Sequence, residues 1–310
     1  MLARPVPSLG VAGIALLALA LAVLAIVWSP ERAPTPLLVA DLRGHALVVL
    51  DPADPAAARR IPLPGGPHEL LRLPDGRVLA SLEQSGTLAL VDVSSGAVEA
   101  IEVGGIPHGL ALRDGVIFVT DRSVNLVRRF ELDGWRELSS IATGATPHAV
   151  ALLPDGGLVV TSADPGSVNL DGVDIAVGAT TEAVAVREDG AVATAAATDG
   201  VVMLIAPDGQ VVGRWEVGGR PVRVDFSPEG NTIAVALSAG HAVALIEGDE
   251  VRQIAVEGVP DGLAFSSDGQ VVYVSDVYGG AVTAVDVASG DVRAVLRGGT
   301  STGALLVLSR

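Results

Sequence analysis

The sequence contains no cysteine and no lysine, and aromatic residues make up only 3% of its 310 positions. Without cysteine the protein has no disulfide, no thiol nucleophile and no thiolate ligand for zinc. Without lysine it cannot form a Schiff base through a side-chain amine. Because large rings are scarce, a folded core must be built mainly from valine, alanine, leucine and isoleucine.

Positive charge is also in short supply. All 20 basic residues are arginine, and 36 acidic residues outnumber them, which gives a net charge of −16. A protein that binds nucleic acid needs a basic surface to neutralise phosphates, so this balance argues against a nucleic-acid partner. Hydrophobic residues make up 49% of the chain, which is enough for a globular core.

One long uncharged segment stands near the N-terminus. Residues 9–28, LGVAGIALLALALAVLAIVW, contain no charged side chain, and a helix of this length would span roughly 30 Å, about one bilayer core. The segment is longer than the apolar region of most secretory signals, and no clear small-residue cleavage site follows it. We therefore predict an uncleaved signal anchor over residues 1–29, with a cleaved signal peptide and a buried helix as alternatives.

The residues that flank this segment predict its orientation. Arg4 and the free amine favour a cytoplasmic N-terminus, which would place the rest of the chain on the extracytoplasmic side of the cell membrane. Cleavage would instead release it as a secreted protein. Three prolines within residues 30–36 predict a short stiff spacer. We predict that the remaining residues, 37–310, form one domain.

That domain is internally repetitive. Six units begin near residues 65, 104, 144, 178, 218 and 257, at a spacing typical of repeats of about 40 residues. The last unit predicts four short strands, GLAFS, VVYVSD, AVTAVDV and VRAVL, separated by the turn sequences SDG, VYGG and ASG. Four antiparallel strands per unit at this period indicate a β-propeller blade.

The two ends of the domain predict one more blade. The segment after residue 36 supplies strands two to four with no first strand, and the tail supplies one strand with nothing after it. We therefore predict an all-β, seven-bladed propeller of four-stranded antiparallel blades, closed by pairing of residues 304–308 with residues 37–41. Closure removes sheet edges that would otherwise aggregate. The unit over residues 144–177 is the shortest, so six blades plus a degenerate one is the alternative.

The last repeat resembles the YVTN-type β-propeller family, because YVSD at residues 273–276 stands where that family has its signature. Pro-Asp-Gly turns at residues 74–76 and 154–156 fit the same repeat. The resemblance covers residues 34–310 and implies a propeller fold. Relatives of this shape include surface-layer proteins, lactonases, and quinoprotein or copper-enzyme propellers, so the resemblance leaves the activity open.

Three of the five histidines recur at one position of the repeat. His68, His108 and His148 each follow a proline at the start of a predicted first strand, 40 residues apart. Because the first strand of a blade is innermost, we predict that these imidazoles ring the mouth of the central channel. The aligned positions in the other blades are Glu182, Val222, Asp261 and Thr302.

Arginines and the other two histidines map to the same face of the ring. Arg122 follows a predicted second strand. Arg220 and Arg223 lie near the same face, and we expect them to pair with Glu182 and Asp261, with attraction of an anionic ligand as the alternative. We expect His45 and His241 to be surface residues of the turns between strands two and three. The predicted ligand-binding set is therefore the three channel histidines with Glu182, Asp261 and Arg122.

A cluster of imidazoles from adjacent blades suits a divalent metal ion, zinc or copper. His68, His108 and His148 are the candidate metal ligands, and Asp261 or Glu182 could add a carboxylate. The alternative is that duplication copied one histidine into three blades, where each imidazole bonds the backbone of its neighbour.

Three functions are compatible with these features. The first is a membrane-anchored, extracytoplasmic and monomeric scaffold that binds a protein or small ligand at its channel mouth. The second is a metal-dependent hydrolase or lyase, which the lactonase relatives suggest and in which a metal ion would activate water. The third is an accessory subunit of a redox enzyme.

Overall fold

Residues 35–308 are described by a computed structural model, and they form seven four-stranded antiparallel sheets. Each sheet is one blade of a β-propeller. Blade 1 joins the last strand of the chain to the first three, and each of the other six blades is a continuous segment of four consecutive strands. The prediction of seven blades is confirmed.

Within each blade the four strands follow one another from the innermost outward. Blade 1 contains β28 (Thr302–Val307), β1 (Leu37–Asp41), β2 (Ala46–Asp51) and β3 (Asp54–Pro62). Blade 2 contains β4 (Leu70–Arg72), β5 (Val78–Leu82), β6 (Thr87–Val91) and β7 (Val98–Glu102), with a turn of 3-10 helix at Glu83–Ser85. Blade 3 contains β8 (Pro107–Arg113), β9 (Val116–Asp121), β10 (Leu126–Glu131) and β11 (Ile141–Ala142).

The remaining four blades repeat this order. Blade 4 contains β12 (Ala145–Leu152), β13 (Leu158–Asp164), β14 (Ser167–Leu170) and β15 (Val173–Ala176). Blade 5 contains β16 (Thr181–Val186), β17 (Val192–Ala196), β18 (Val201–Ile205) and β19 (Val211–Glu216). Blade 6 contains β20 (Pro221–Phe226), β21 (Ile233–Leu237), β22 (Ala242–Glu247) and β23 (Glu250–Ala255). Blade 7 contains β24 (Pro260–Phe265), β25 (Val271–Asp276), β26 (Ala281–Asp286) and β27 (Val292–Arg297).

The hydrophobic core lies between adjacent blades, so the middle strands are buried on both faces. Strands such as β5, β6 and β21 are buried at every residue, whereas the outermost strand β3 is exposed at all but one of its residues. This is why the sequence shows short runs of valine, alanine and leucine instead of strict alternation. Small aliphatic side chains on both faces allow the blades to pack closely without large rings.

The ring is closed by pairing of β28 with β1, as the sequence predicts. Leu37 pairs with Val307, and Leu38 pairs with Leu306. The side chains of this seam join a cluster between blades 1 and 7, in which Val39 and Leu305 pack with Tyr273. Closure therefore buries apolar surface from both ends of the domain and leaves no inner strand without a partner.

A buried carboxylate reinforces the seam. Asp41, at the end of β1, has no exposed surface. One of its oxygens accepts hydrogen bonds from the backbone N–H groups of Thr300 and Ser301 at 3.1 and 2.9 Å, and the other lies 2.7 Å from the Arg60 guanidinium. Burial alone would raise the pKa of Asp41, but these hydrogen bonds outweigh burial and lower it. The ionised carboxylate thus holds the segment that leads into β28.

The shortest unit, over residues 144–177, forms a complete blade. Its outer strands β14 and β15 have four residues each and pair in full register from Ser167–Ala176 to Leu170–Val173. The alternative of six blades plus a degenerate one is therefore excluded. The blade reaches four strands with fewer residues because its outer hairpin is short.

The predicted anchor over residues 1–29 and most of the predicted spacer lie outside the described residues. Among residues 35–308 there is no helix long and apolar enough to cross a membrane. The anchor and the domain boundaries based on it stay predictions.

Deletion of residues 302–310 should abolish the stability of the propeller. The deletion removes β28, including the buried side chains of Ala304 and Leu305, and exposes the edge of β1. We expect a loss of at least about 5 kcal/mol, which is comparable to the whole stability of many domains. Thermal unfolding followed by circular dichroism measures the effect, and deletion of residues 309–310 alone is the control. A truncated chain that melts like the control would contradict the closure.

Candidate functional site

The innermost strand of each blade begins at the upper face, which we define as the face that carries the turns between strands two and three. In blades 3, 7 and 1 the strand starts where Pro107 pairs with Asp121, Pro260 with Asp276, and Thr302 with Asp41. The next residue of each strand is therefore His108, Asp261 or Gly303. The sequence alignment placed Thr302 in this ring, but the pairing places Gly303 there, one residue later.

A hydroxyl group holds each of several strand starts against the next blade. Thr120 Oγ accepts a hydrogen bond from Gly109 N at 2.7 Å and donates to the carbonyl of His148, also at 2.7 Å. Ser275 makes the same two contacts with Gly262 and Gly303. Strand two of one blade therefore fixes the backbone of two successive inner strands.

Gly109 allows blades 3 and 4 to approach closely beside the candidate site. A Cβ atom at this position would lie 2.5 Å from the carbonyl oxygen of His148, which is closer than atoms can pack. Because glycine has no Cβ, the two inner strands come near enough for their histidine rings to meet.

The three predicted histidines form a stack at the channel mouth. The ring centroids of His68 and His108 are 4.3 Å apart, those of His108 and His148 are 3.8 Å apart, and those of His68 and His148 are 6.4 Å apart. His108 is the central ring and has no exposed surface. The structure thus brings the three side chains together from blades 2, 3 and 4.

The nitrogen atoms of the stack differ in their partners. His148 Nδ1 lies 2.9 Å from the backbone oxygen of Glu182, the contact expected if the histidine serves only to bond its neighbour. In contrast, both ring nitrogens of His108 and Nδ1 of His68 are buried with no hydrogen-bond partner. Buried polar atoms are normally paired, so these nitrogens require a partner, which a water molecule or a ligand would supply.

A carboxylate from the neighbouring turn faces the unpaired nitrogens. Glu83 Oε1 lies 3.5 Å from His108 Nε2, and donor atoms of His68, Glu83 and His108 all lie within 4.8 Å of one another. His148 does not belong to this converging group. Glu83 occupies the turn of blade 2 that corresponds to the turn of Arg122 in blade 3.

Two arginines hold the carboxylates that flank the stack. Arg122 lies 3.2 Å from Glu83 Oε1. Arg223 of blade 6 makes a two-pronged contact with Glu69 of blade 2, at 2.7 and 3.0 Å, and this pair crosses the channel. Glu69 Oε1 in turn lies 3.7 Å from His68 Nδ1, which is too long for a hydrogen bond but close enough for charge attraction.

The surroundings give the imidazoles different proton affinities. Burial lowers the pKa of His108 well below its usual range, and positive charge on His148 and His68 would lower it further. Burial also lowers the pKa of His148, to about 3. Burial opposes protonation of His68 as well, but the carboxylate of Glu69 outweighs it and raises that pKa above 6.5. At neutral pH the central ring is therefore a neutral electron-pair donor.

The other predicted carboxylates lie near the channel arginine. Burial lowers the pKa of Arg223, but the negative charges of nearby carboxylates outweigh burial and raise it. Glu69 contributes most, and Asp261 and Glu182 add to the effect. Arg220 and Arg223 were predicted to pair with these two carboxylates, but the hydrogen-bonded partner of Arg223 is Glu69. Four carboxylates thus surround two guanidinium groups, which leaves the mouth with an excess of negative charge.

Glu83 and Glu69 were not among the predicted site residues. Alignment of the turn of Glu83 with that of Arg122 could have identified the first. Glu69 follows His68 directly, but its cross-channel partner is 154 residues away, and no local pattern indicates such a contact. The remaining histidines, His45 and His241, are exposed turn residues, as expected. Both have positive φ angles.

Comparison with solved structures finds the same fold in other proteins. A catalytically inactive histidine-to-alanine variant of virginiamycin B lyase from Staphylococcus aureus, with quinupristin, is 11% identical, with a TM-score of 0.66 over 75% of this chain and 84% of that one. A streptogramin B lyase is 14% identical, with a TM-score of 0.67 over 79% and 91%.

A candidate 6-phosphogluconolactonase from Bacteroides fragilis is 14% identical, with a TM-score of 0.73 over 90% of this chain and 99% of that one. No family model matches the sequence, and no curated protein matches it. At these identities the likeness shows a shared propeller fold, and the YVTN resemblance stays a prediction.

Substitution of His148 by Gln should weaken the acid sensitivity of the fold. The unfolded chain gains a proton on histidine near pH 6.5, whereas folded His148 stays neutral down to about pH 3. The stability of the native protein should therefore fall as pH drops through this interval, by up to about 1.4 kcal/mol per pH unit for this group.

Glutamine cannot take up that proton, so the variant should lose less stability between pH 7 and pH 4. Urea unfolding at several pH values measures the slope, and His241→Gln is the surface control. Equal slopes for the wild type and the His148 variant would contradict the assignment.

Proposed function

We propose that the protein is a binding module whose channel mouth holds a divalent transition-metal ion, zinc or copper, through His68, His108 and Glu83. The observation that carries this proposal is the pair of buried, unpartnered nitrogens of His108 beside the converging donor atoms of His68 and Glu83. The proposed function of the module is to bind a small ligand or a protein at this face.

The spacing of the donor atoms suits such an ion. In a tetrahedral zinc site with bonds of about 2.1 Å, neighbouring ligand atoms are roughly 3.4 Å apart. The separation of 3.5 Å between His108 Nε2 and Glu83 Oε1 is close to that value. The wider spacing to His68, within 4.8 Å, would need a small movement of its ring.

The charges and protonation states also favour a cation. His108 is neutral at pH 7, so binding to it does not have to displace a proton, whereas the raised pKa of His68 makes an ion compete with a proton at that ring. The excess of carboxylates at the mouth attracts positive ions. Nitrogen and oxygen donors together are typical of zinc and copper rather than of magnesium or calcium.

Glu69 and Arg223 are proposed to orient His68. A ligand histidine usually presents its second ring nitrogen to a carboxylate or carbonyl, which fixes the ring. Glu69 is placed for this role, since its oxygen faces His68 Nδ1 and its charge is held by Arg223. The cross-channel pair would thus support the site without touching the ion.

The site is proposed to lie on the extracytoplasmic side of the cell membrane. The support is the 20-residue uncharged segment at residues 9–28 and the basic residue that precedes it. Protease treatment of intact spheroplasts checks this orientation: the propeller should be digested while a cytoplasmic marker protein survives.

A second candidate function is metal-dependent hydrolysis or elimination. Glu83 and His68 keep 20% and 29% of their side-chain surface exposed, so a substrate could reach them from the mouth. A bound metal ion would supply Lewis acidity there, and Arg122 could bind an anionic group of the substrate. The lyase and lactonase names among the structural neighbours favour testing this chemistry first.

Replacement of His108 by Ala should abolish metal binding. The full-length protein, stripped with a chelator and offered zinc or copper, should bind one ion per chain at micromolar concentration. The variant should bind at least 100-fold more weakly, because it loses the central donor. Equilibrium dialysis with elemental analysis measures this, and His241→Ala on the same face is the matched control.

The outcomes separate the candidates. An absence of metal binding by the wild type, or equal binding by the His108 variant, would overturn the metal site. Zinc-loaded protein that opens lactones or cleaves quinupristin, with the activity lost in the His108 variant and kept in the His241 variant, would establish the enzymatic function. Metal binding with no turnover on these substrates would favour the binding module.

A further inference from the structure

A cavity of about 620 Å³ opens at the lower end of the channel, opposite the histidine stack. It is bounded by the carboxyl-terminal ends of inner strands, including β16, β20, β24 and β28. Most of its wall is apolar, with Leu263 and Leu305 on two neighbouring blades. Its size is that of ordinary small-molecule pockets.

Two features of the wall are unusual for this sequence. The chain has only four phenylalanines, and two of them, Phe226 and Phe265, line the cavity. Among the lining residues that the structure describes, Asp225 is the one with an ionisable side chain. An otherwise apolar pocket therefore combines aromatic surface with one carboxyl group.

The carboxyl group of Asp225 has no cationic side chain bonded to it in the described structure. Burial raises its pKa to about 7, although the backbone N–H groups of Phe226 and Phe265 and the charge of Arg223 act in the opposite direction. Arg223 itself donates hydrogen bonds to Glu69. Arg187 lies over the ring of Phe226 but is paired with Asp189 at 2.8 Å.

We propose that this lower cavity is a binding site for a small apolar amine, whose ammonium group pairs with Asp225 while its hydrocarbon part packs against Phe226 and Phe265. A carboxylate that is half-buried in an apolar wall is poorly solvated without a counter-charge, and an ammonium ligand supplies one. The aromatic rings offer both apolar contact and attraction for a nearby cation. The net charge of −16 draws cations toward the protein.

This site is independent of the metal proposal. The strand β20 carries Arg223 near the upper end of the channel and Asp225 two residues further down, so the Glu69–Arg223 pair lies toward the histidine stack and the cavity lies at the far end. Loss of metal binding would leave the amine site intact, and the reverse also holds.

The test uses 2-phenylethylamine as the probe and the full-length chain in lipid nanodiscs. At pH 8 Asp225 is mostly ionised, and a primary amine, with a pKa of about 10, is still protonated. Isothermal titration, with empty nanodiscs as the blank, should show that the amine binds at least tenfold more tightly than 2-phenylethanol. Asp225→Asn should lose that advantage, and Asp268→Asn, an exposed carboxylate on the adjacent turn, should keep it.

A second variant distinguishes loss of the binding site from loss of the fold. Ala264→Phe keeps the carboxyl but fills part of the cavity, so it should weaken binding of both the amine and the alcohol. Variants are compared only if they melt within a few degrees of the wild type. The proposal is overturned if the amine fails to bind at millimolar concentration, if the alcohol binds as tightly, if 3-phenylpropanoate binds more tightly, or if Asp225→Asn keeps the preference.

Discussion

Closure of the ring is the constraint on which the rest of the structure depends. A blade buries its two faces only when it has a neighbour on each side, so every blade needs the seam between β28 and β1 to be made. Asp41 joins the two ends of the domain there through an ionised, fully buried carboxylate. Once the seam is made, the number of blades sets the width of the channel and hence which side chains meet in it.

The candidate site is a product of that narrow channel. Side chains from blades 2, 3 and 4 meet because inner strands of adjacent blades run side by side, and Glu69 reaches Arg223 because the opposite wall is also close. Unpaired imidazole nitrogens and paired carboxylates therefore share a small volume. Burial and neighbouring charge separate the protonation behaviour of histidines that occupy the same place in the repeat: burial keeps His108 neutral, whereas Glu69 raises the pKa of His68.

Much of the fold can be predicted from the sequence, because the same pattern of strands and turns recurs in successive repeat units. The turn sequences and two-sided apolar runs predict the strands, and the incomplete ends predict the seam. The repeat also predicts that His68, His108 and His148 lie together. It does not predict Glu83 as a partner of His108, nor the Glu69–Arg223 pair, because contacts across a channel depend on the diameter of the ring and on side-chain conformation. The one-residue shift from Thr302 to Gly303 has a similar cause, since the irregular pairing beside Asp41 is not visible in the sequence.

The hydroxyl groups at the end of strand two have an evolutionary consequence. Thr120 and Ser275 hold the inner strands that they contact through main-chain atoms alone. Of the three histidines at these strand starts, His148 adds a side-chain contact to the next blade. The same backbone position already carries histidine, glutamate, valine, aspartate and glycine around this ring. A single substitution there, at a position other than His148, changes the ligand chemistry and leaves these main-chain contacts in place, which makes the mouth of the propeller a surface on which new binding functions can arise in small steps.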